Sequence, residues 1–181
     1  MLGFASLGLL CLIFAQAQED RVVLRGNVPP QATPENDAGP VRPSFKMTGL
    51  AIQFKRSPAQ QHALDQLLKD QQDPASPRYH KWVTPEEIAE RFGLSRADIG
   101  RISSWLRSHG FRIGQVGRGR EWITFSGTAK QVNEAFHVEI RRYRVENKLH
   151  YANSSDPSIP AAFQDLVNGI RGLDDFTPSP L

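Results

Sequence analysis

Two hydroxyls, Ser126 and Thr128, flank Gly127 just ahead of an apolar stretch carrying Val132, Ala135 and Phe136. Side chains of this type act as nucleophiles when a base and its orienting partner lie within hydrogen-bond reach. A hydroxyl directly before a helix more often serves as its N-cap, accepting a hydrogen bond from an otherwise unpaired amide. No Gly-x-Ser-x-Gly elbow occurs in the chain, so an esterase-like nucleophile is not supported. The histidines are His62, His80, His109, His137 and His150. No two of them have the i, i+4 spacing that puts two imidazoles on one helix face for zinc. They read as loop or surface groups able to titrate in mildly acidic surroundings. Asn153-Ser154-Ser155 has the pattern of a glycosylation sequon. No metal and no cofactor are expected.

The only cysteine is Cys11, inside an uncharged apolar run from Leu2 to Phe14 that is followed by Ala15-Gln16-Ala17. Small residues at the first and third of those positions fit signal-peptidase cleavage after Ala17. The run is shorter than the ~20 apolar residues needed to span a bilayer, so no stable membrane anchor is expected. Leu10 is too bulky to precede a lipidated cysteine. The mature chain, 18–181, would contain no cysteine, which excludes disulfides, thiol catalysis and cysteine-ligated zinc. The expected destination is secreted, periplasmic or extracellular. A formal net charge of +3 favours acidic partners without demanding nucleic acid.

Residues 18–44 hold Pro29, Pro30, Pro34, Pro40 and Pro43 without sustained periodicity and read as a mobile leader. Order is expected from Phe45. Leu50, Ile52 and Phe54 alternate with Ala51, Gln53 and Lys55 as in a half-buried strand. Ser57-Pro58 supplies a cap and a proline for the first turn of a helix striped with Ala63, Leu64, Leu67 and Leu68. Thr84-Pro85-Glu86-Glu87 is a capping box, opening a short helix that ends at Gly93. Ser95 caps the next helix, which carries Ile99, Ile102, Trp105 and Leu106 and stops at Gly110.

Strands then follow at Phe111–Ile113 and Trp122–Phe125, joined by Gly117-Arg118-Gly119-Arg120. A helix begins near Gly127-Thr128, a fourth strand holds Val138 and Ile140, and a partner strand runs from Leu149 to Ala152. A last helix is expected from Pro160 to about Asn168. The core order points to an α+β fold, a ferredoxin-like split βαβ antiparallel sheet with helices on one face. Thr84 to Gly110, with an arginine-tipped hairpin behind it, also matches a winged helix-turn-helix. Export and the mild charge favour two packed helices over a DNA reader.

The run Ser76-Pro77-Arg78-Tyr79-His80-Lys81-Trp82-Val83-Thr84-Pro85-Glu86-Glu87, leading into Phe92-Gly93, resembles the activation prodomain of the sedolisin (kumamolisin-like) serine-carboxyl peptidases, family S53. Further matches follow in the same order. They are Phe125-Ser126-Gly127-Thr128-Ala129, the Val132–Phe136 segment, His150-Tyr151-Ala152-Asn153 and Asp156-Pro157-Ser158-Ile159-Pro160. Val83 and Ile88 depart from the commoner Leu and Phe. The resemblance covers roughly 45–176 and implies a protease-propeptide type of fold.

Ser126-Gly127-Thr128-Ala129 is also similar to the family's Gly-Thr-Ser nucleophile motif, but alanine stands where the serine would be, and no Glu and Asp share a helix face as base and partner. The resemblance therefore implies a non-catalytic module that assists folding of a peptidase domain and inhibits it until acid releases it. The partner would be a sedolisin-type peptidase domain, in cis if encoded downstream and otherwise in trans, with no nucleic acid. The domain layout is then a signal peptide at 1–17, the leader at 18–44, the prodomain at 45–173 and a linker at 174–181 toward a peptidase domain. A free-standing secreted peptidase inhibitor is the alternative.

Strand alternation nominates a binding surface. If Ile52, Phe54, Ile113, Ile123, Phe125, Val138 and Ile140 face the helices, then Gln53, Arg112, Trp122, Thr124, Arg141 and Tyr143 share the opposite face. Aromatic residues among arginines are enriched at interfaces. The competing expectation is that the leader or the C-terminal helix covers this face. Tyr79 and Trp82, beside His80, read either as a second surface or as an aromatic plug holding their loop.

Overall fold

The computed structural model describes residues 20–176. A four-stranded antiparallel sheet is built from β3 (Lys46–Phe54), β4 (Arg112–Val116), β5 (Trp122–Thr128) and β9 (Val167–Arg171), in the spatial order β4-β5-β3-β9. Between β3 and β4 run α1 (Pro58–Gln72), α2 (Pro85–Phe92) and α3 (Arg96–Ser108). Between β5 and β9 comes α4 (Ala129–Phe136). In chain order the sheet reads second, third, first, fourth, which is the split-βαβ arrangement inside an α+β fold.

Local chemistry sets the helix starts. Ser57, Thr84 and Thr128 each form a reciprocal capping box, with Gln60, Glu87 and Gln131 respectively. Ser95 caps α3 by accepting from the Asp98 amide. Each such cap contributes about 1 kcal/mol. Pro58 and Pro85 occupy first-turn positions where a missing N–H costs nothing.

One face of the sheet, with Leu50, Ile52, Ile123 and Phe125, shares a core with Ile102 and Leu106 of α3 and Val132, Ala135 and Phe136 of α4. Phe111 stands edge-on to Phe125 with ring centroids 5.1 Å apart, and both rings lie 5.9 Å from Phe136. Burying a side chain of this size contributes about 1.5–3 kcal/mol. Leu67, Ala89 and Phe92 are buried outside this cluster, in the α1 and α2 region.

Three features differ from the sequence reading. The fourth strand of the sheet is β9, in place of the expected helix from Pro160 to Asn168; only a 3₁₀ turn, Ala161–Phe163, forms there. Phe163, Leu166, Val167 and Ile170 have helical spacing, but the β-branched Val167 and Ile170 complete the free edge of β3, with Ile170 opposite Ile52. The strand expected as fourth, β6 (Ile140–Val145), instead belongs to a separate sheet with β2 (Asp37–Pro40) and β7 (Lys148–Asn153), in the order β2-β6-β7.

The third difference is the leader. Residues 21–44, read as mobile, are built into the fold. Here β1 (Arg21–Val23) pairs with β8 (Ser158–Pro160), Arg21 donates to the Ala135 and Ser158 carbonyls, and β2 edges β6. Proline-rich composition forbids little here, because prolines are tolerated in edge strands, and Pro40 sits in one. The proposed signal segment, 1–17, lies outside the described residues.

Candidate functional site

The sheet face turned away from the helices can be assembled row by row from strand register. Thr128 lies opposite Lys46, and Arg112 opposite Ser126. Thr124 lies opposite Ala51, itself opposite Arg171; Trp122 lies opposite Gln53, itself opposite Gly169. Lys46, Thr48, Arg112, Gly114 and Arg171 are exposed, while Trp122, Thr124 and Ser126 are half-buried. Gly114 is crowded against the Thr124 side chain, whose hydroxyl accepts from the Gln115 amide at 2.7 Å and donates to its carbonyl at 3.2 Å. A side chain added at Gly117 would meet the Trp122 ring at 2.9 Å, so the bare backbone leaves room for the indole.

Of the six residues expected on this face, Gln53, Arg112, Trp122 and Thr124 are there. Arg141 and Tyr143 are not, because β6 left the sheet. Tyr143 is only 3% exposed, opposite Asp37 of β2 and His150 of β7, and burial pushes its phenol pKa up. The leader's Pro34–Asn36 turn packs on the same strand. Arg141 reaches Asp37 at 2.7 Å and Glu139 at 2.5 Å. Its hydrogen bond holds the Asp37 carboxyl below the usual carboxylate range, aided by the Gly39 amide. Lys46 and Arg171 escaped the sequence reading because one precedes the apolar alternation and the other followed a misread helix.

The motif residues divide by role. Ser76 accepts from the Arg78 amide in the turn that contains Pro77. The loop is tied down by buried Gln71 of α1, whose amide donates to the Lys81 carbonyl at 2.5 Å. The plug reading of the aromatics therefore fails. Trp82 is 69% exposed, and His80 lies between it and Tyr79, stacked at 5.9 and 3.8 Å. Phe92 and Phe136 are core residues. Thr128, with Gln131, caps α4, while Ser126 stays on the sheet face. Pro160 is buried in β8 opposite Arg21. Asn153 is fully buried, its amide donating to the Asn27 and Ser155 carbonyls, both at 2.9 Å. The sequon asparagine is thus consumed in holding the leader.

At the helix-turn-helix segment the hairpin-tip arginines are engaged by α2. Arg118 reaches Glu86 at 2.9 Å, and Arg120 pairs with Glu90, which also takes Arg96 at 3.1 Å. These contacts lower both glutamate pKa values, Glu86 mainly through a backbone hydrogen bond and Glu90 mainly through Arg120. The wing-like tip therefore presents paired charge. Among the described residues, no cluster of three or more His, Cys, Asp or Glu could hold a metal, and no helix is long and apolar enough to cross a membrane.

Order continues past residue 173, where a linker was expected. Asp175 accepts from the Tyr151 amide at 2.9 Å, its carboxylate lies 3.2 Å from His150 Nδ1, and the Phe176 ring stacks on His150 at 4.6 Å. Burial pushes the neighbouring Asp174 carboxyl pKa up.

This α+β module, with one sheet face packed and the other uncovered by any described segment, has the architecture of a propeptide domain. The family described as Pro-kumamolisin, activation domain, matches residues 36–176. The chain belongs to that family, the propeptide and not the catalytic domain of sedolisin-family peptidase precursors. It is 29% identical over 115 residues to xanthomonalisin of Xanthomonas sp. (strain T-22), covering 64% of this chain and 14% of that protein. It is 26% identical over 114 residues to sedolisin of Pseudomonas sp. (strain 101), covering 63% and 19%. With kumamolisin of Bacillus sp. (strain MN-32) identity is 24% over 157 residues, covering 87% and 28%. The chain thus spans less than a third of the length of these relatives. The match begins at Asn36 and so takes in β2, part of the segment read as leader.

Proposed function

We propose that this chain is the exported prodomain of a sedolisin-type serine-carboxyl peptidase, a non-catalytic module that assists folding of the peptidase domain and blocks it until acid releases it. The observation that carries the reading is the uncovered sheet face bearing Trp122, Thr124 and Arg112 in a chain of this family. An uncovered sheet face with a tryptophan among cations is the kind of surface that binds another protein. Inhibition in this scheme is by occupancy of the peptidase cleft. Ser126 has no base in this scheme; it is a contact residue. Release follows when partner carboxylates, with reference pKa values near 4, become protonated.

The test is inhibition of a sedolisin-type peptidase by purified residues 18–181 from neutral to acidic pH, with a catalytically dead peptidase for the binding measurements. Tight inhibition at neutral pH that weakens in acid supports the reading. A pH-independent constant removes the electrostatic release. Hydrolysis of a peptide by the chain itself, lost in Ser126→Ala, removes the non-catalytic assignment.

A further inference from the structure

We infer that the surface received by this sheet face is acidic, a carboxylate-bearing patch of the peptidase domain that meets a cationic frame made of Lys46, Arg112 and Arg171. The inference rests on the docking reading above and names the partner's chemistry and the residues that recognise it.

The four strands of the sheet contain no Asp or Glu at any position. Their exposed charges are Lys46 on β3, Arg112 on the edge strand β4 and Arg171 on the opposite edge strand β9. All three stand on the outer face by register, Lys46 beside Thr128, Arg112 beside Ser126 and Arg171 across Ala51 from Thr124. None has an ion-pair partner among the described residues, whereas Arg118, Arg120 and Arg141 are all paired with carboxylates. At neighbouring strand spacings of about 4.8 Å, the two edge arginines bracket the sheet.

Relief on the face points the same way. In the row that ends at Arg171 the side chains are small, Gly114, Thr124 and Ala51, while the next row carries Trp122, Gln53 and Gly169. A groove lined by Lys46, Thr48, Arg112, Ser126 and Thr128 runs along one side. The row ending at Arg171 has little bulk of its own, so the partner must bring protruding side chains. A protruding Asp or Glu in that groove would meet the Lys46 ammonium, the Arg112 guanidinium and the Ser126 hydroxyl, all able to donate to a carboxylate. Phosphate-rich nucleic acid fits less well, since three separated cations neutralise few phosphates.

The experiment measures binding of the full chain to the mature peptidase domain of xanthomonalisin, as a catalytically dead variant, at neutral pH and over a series of salt concentrations. Lys46→Glu, Arg112→Glu and Arg171→Glu, singly and together, are compared with Trp122→Ala, and circular dichroism checks that each remains folded. Each reversal should weaken binding by about tenfold or more at low salt, mostly through slower association, and the triple variant should lose most of the salt dependence. Constants within about twofold of the parent for all three reversals, with Trp122→Ala still weakened, would leave the docking face in place and overturn its acidic partner. No effect from any of the four substitutions, or no binding by the parent chain, would overturn the docking face as well. Tight binding to a DNA duplex at physiological salt, abolished in the triple variant, would overturn the inference in favour of a phosphate ligand.

Discussion

The two main sheets began from the same sequence ingredients, an aromatic residue and arginines on alternating positions, and ended in opposite states. In the β2-β6-β7 sheet, Tyr143 is sealed and Arg141 is bonded to both Asp37 and Glu139. In the β4-β5-β3-β9 sheet, Trp122 is half-exposed and Arg112 faces solvent. The difference is the leader. Its residues 34–40 lie along β6 and supply both the cover and the Asp37 carboxylate, while no described segment lies on the outer face of the larger sheet. An aromatic–arginine surface is therefore a staple where the chain closes over it and stays open where, among the described residues, it does not.

The largest expected effect that would break this comparison is on stability. Tyr143→Ala should cost about 3 kcal/mol, in the range of large core truncations, as read by urea denaturation. Trp122→Ala should instead change stability little and weaken peptidase inhibition by ~1–2 kcal/mol, as an interface anchor does. If Trp122→Ala unfolds the chain while Tyr143→Ala weakens only inhibition, the two sheets have been assigned the wrong way round.

Next in size is the leader's attachment. Asn153→Ala removes the donor to the Asn27 carbonyl and should cost about 1–3 kcal/mol, the usual penalty for leaving a buried polar group unpaired. Limited proteolysis should then cut within residues 20–44 before it cuts the core. Uniform protection of that segment in the variant would show that β1 and β2 hold it unaided.

A smaller effect separates the two ends of the chain by pH. The Asp37 carboxyl is lowered in the fold, so its contribution is present above the unfolded carboxyl pKa near 3.9 and is lost as pH falls through the folded value. Asp174 is raised by burial. It penalises the fold above its folded pKa, and the penalty disappears as pH falls below the unfolded value. Asp37→Asn should therefore destabilise at neutral pH and Asp174→Asn should stabilise, with both differences shrinking toward zero in acid. Denaturation midpoints measured at several pH values check the signs.

The smallest effect is expected at Trp82. Its replacement by Ala should alter stability by no more than about 0.5 kcal/mol, as surface changes do, because Gln71 and not the ring stack anchors the loop. A loss comparable to that of Tyr143→Ala would restore the plug.

Short-range chemistry was legible in the residues themselves. The caps at Ser57, Thr84 and Ser95, the turn at Gly110 and the alternation of Ile52 and Phe54 all stand where local rules put them, because each depends on partners a few residues away. The α+β class followed from the same local signals, and the motif series from Ser76 to Pro160 pointed to the family. Which strand completes the sheet was decided elsewhere. Val167–Arg171 carries a helical spacing that only the free edge of β3 overrides. The proline-rich leader looks unstructured until Asn153, Ser158 and Arg141 supply its hydrogen bonds from more than 100 residues away. Alternation within β6 states that Arg141 and Tyr143 share a face but not which sheet owns it, since pairing is a long-range choice. The sequence by itself determined the capped helices, the clearly alternating strands and the family. Only the tertiary structure decided which aromatic face is closed and which is left open, because strand pairing and the leader's cover are long-range choices.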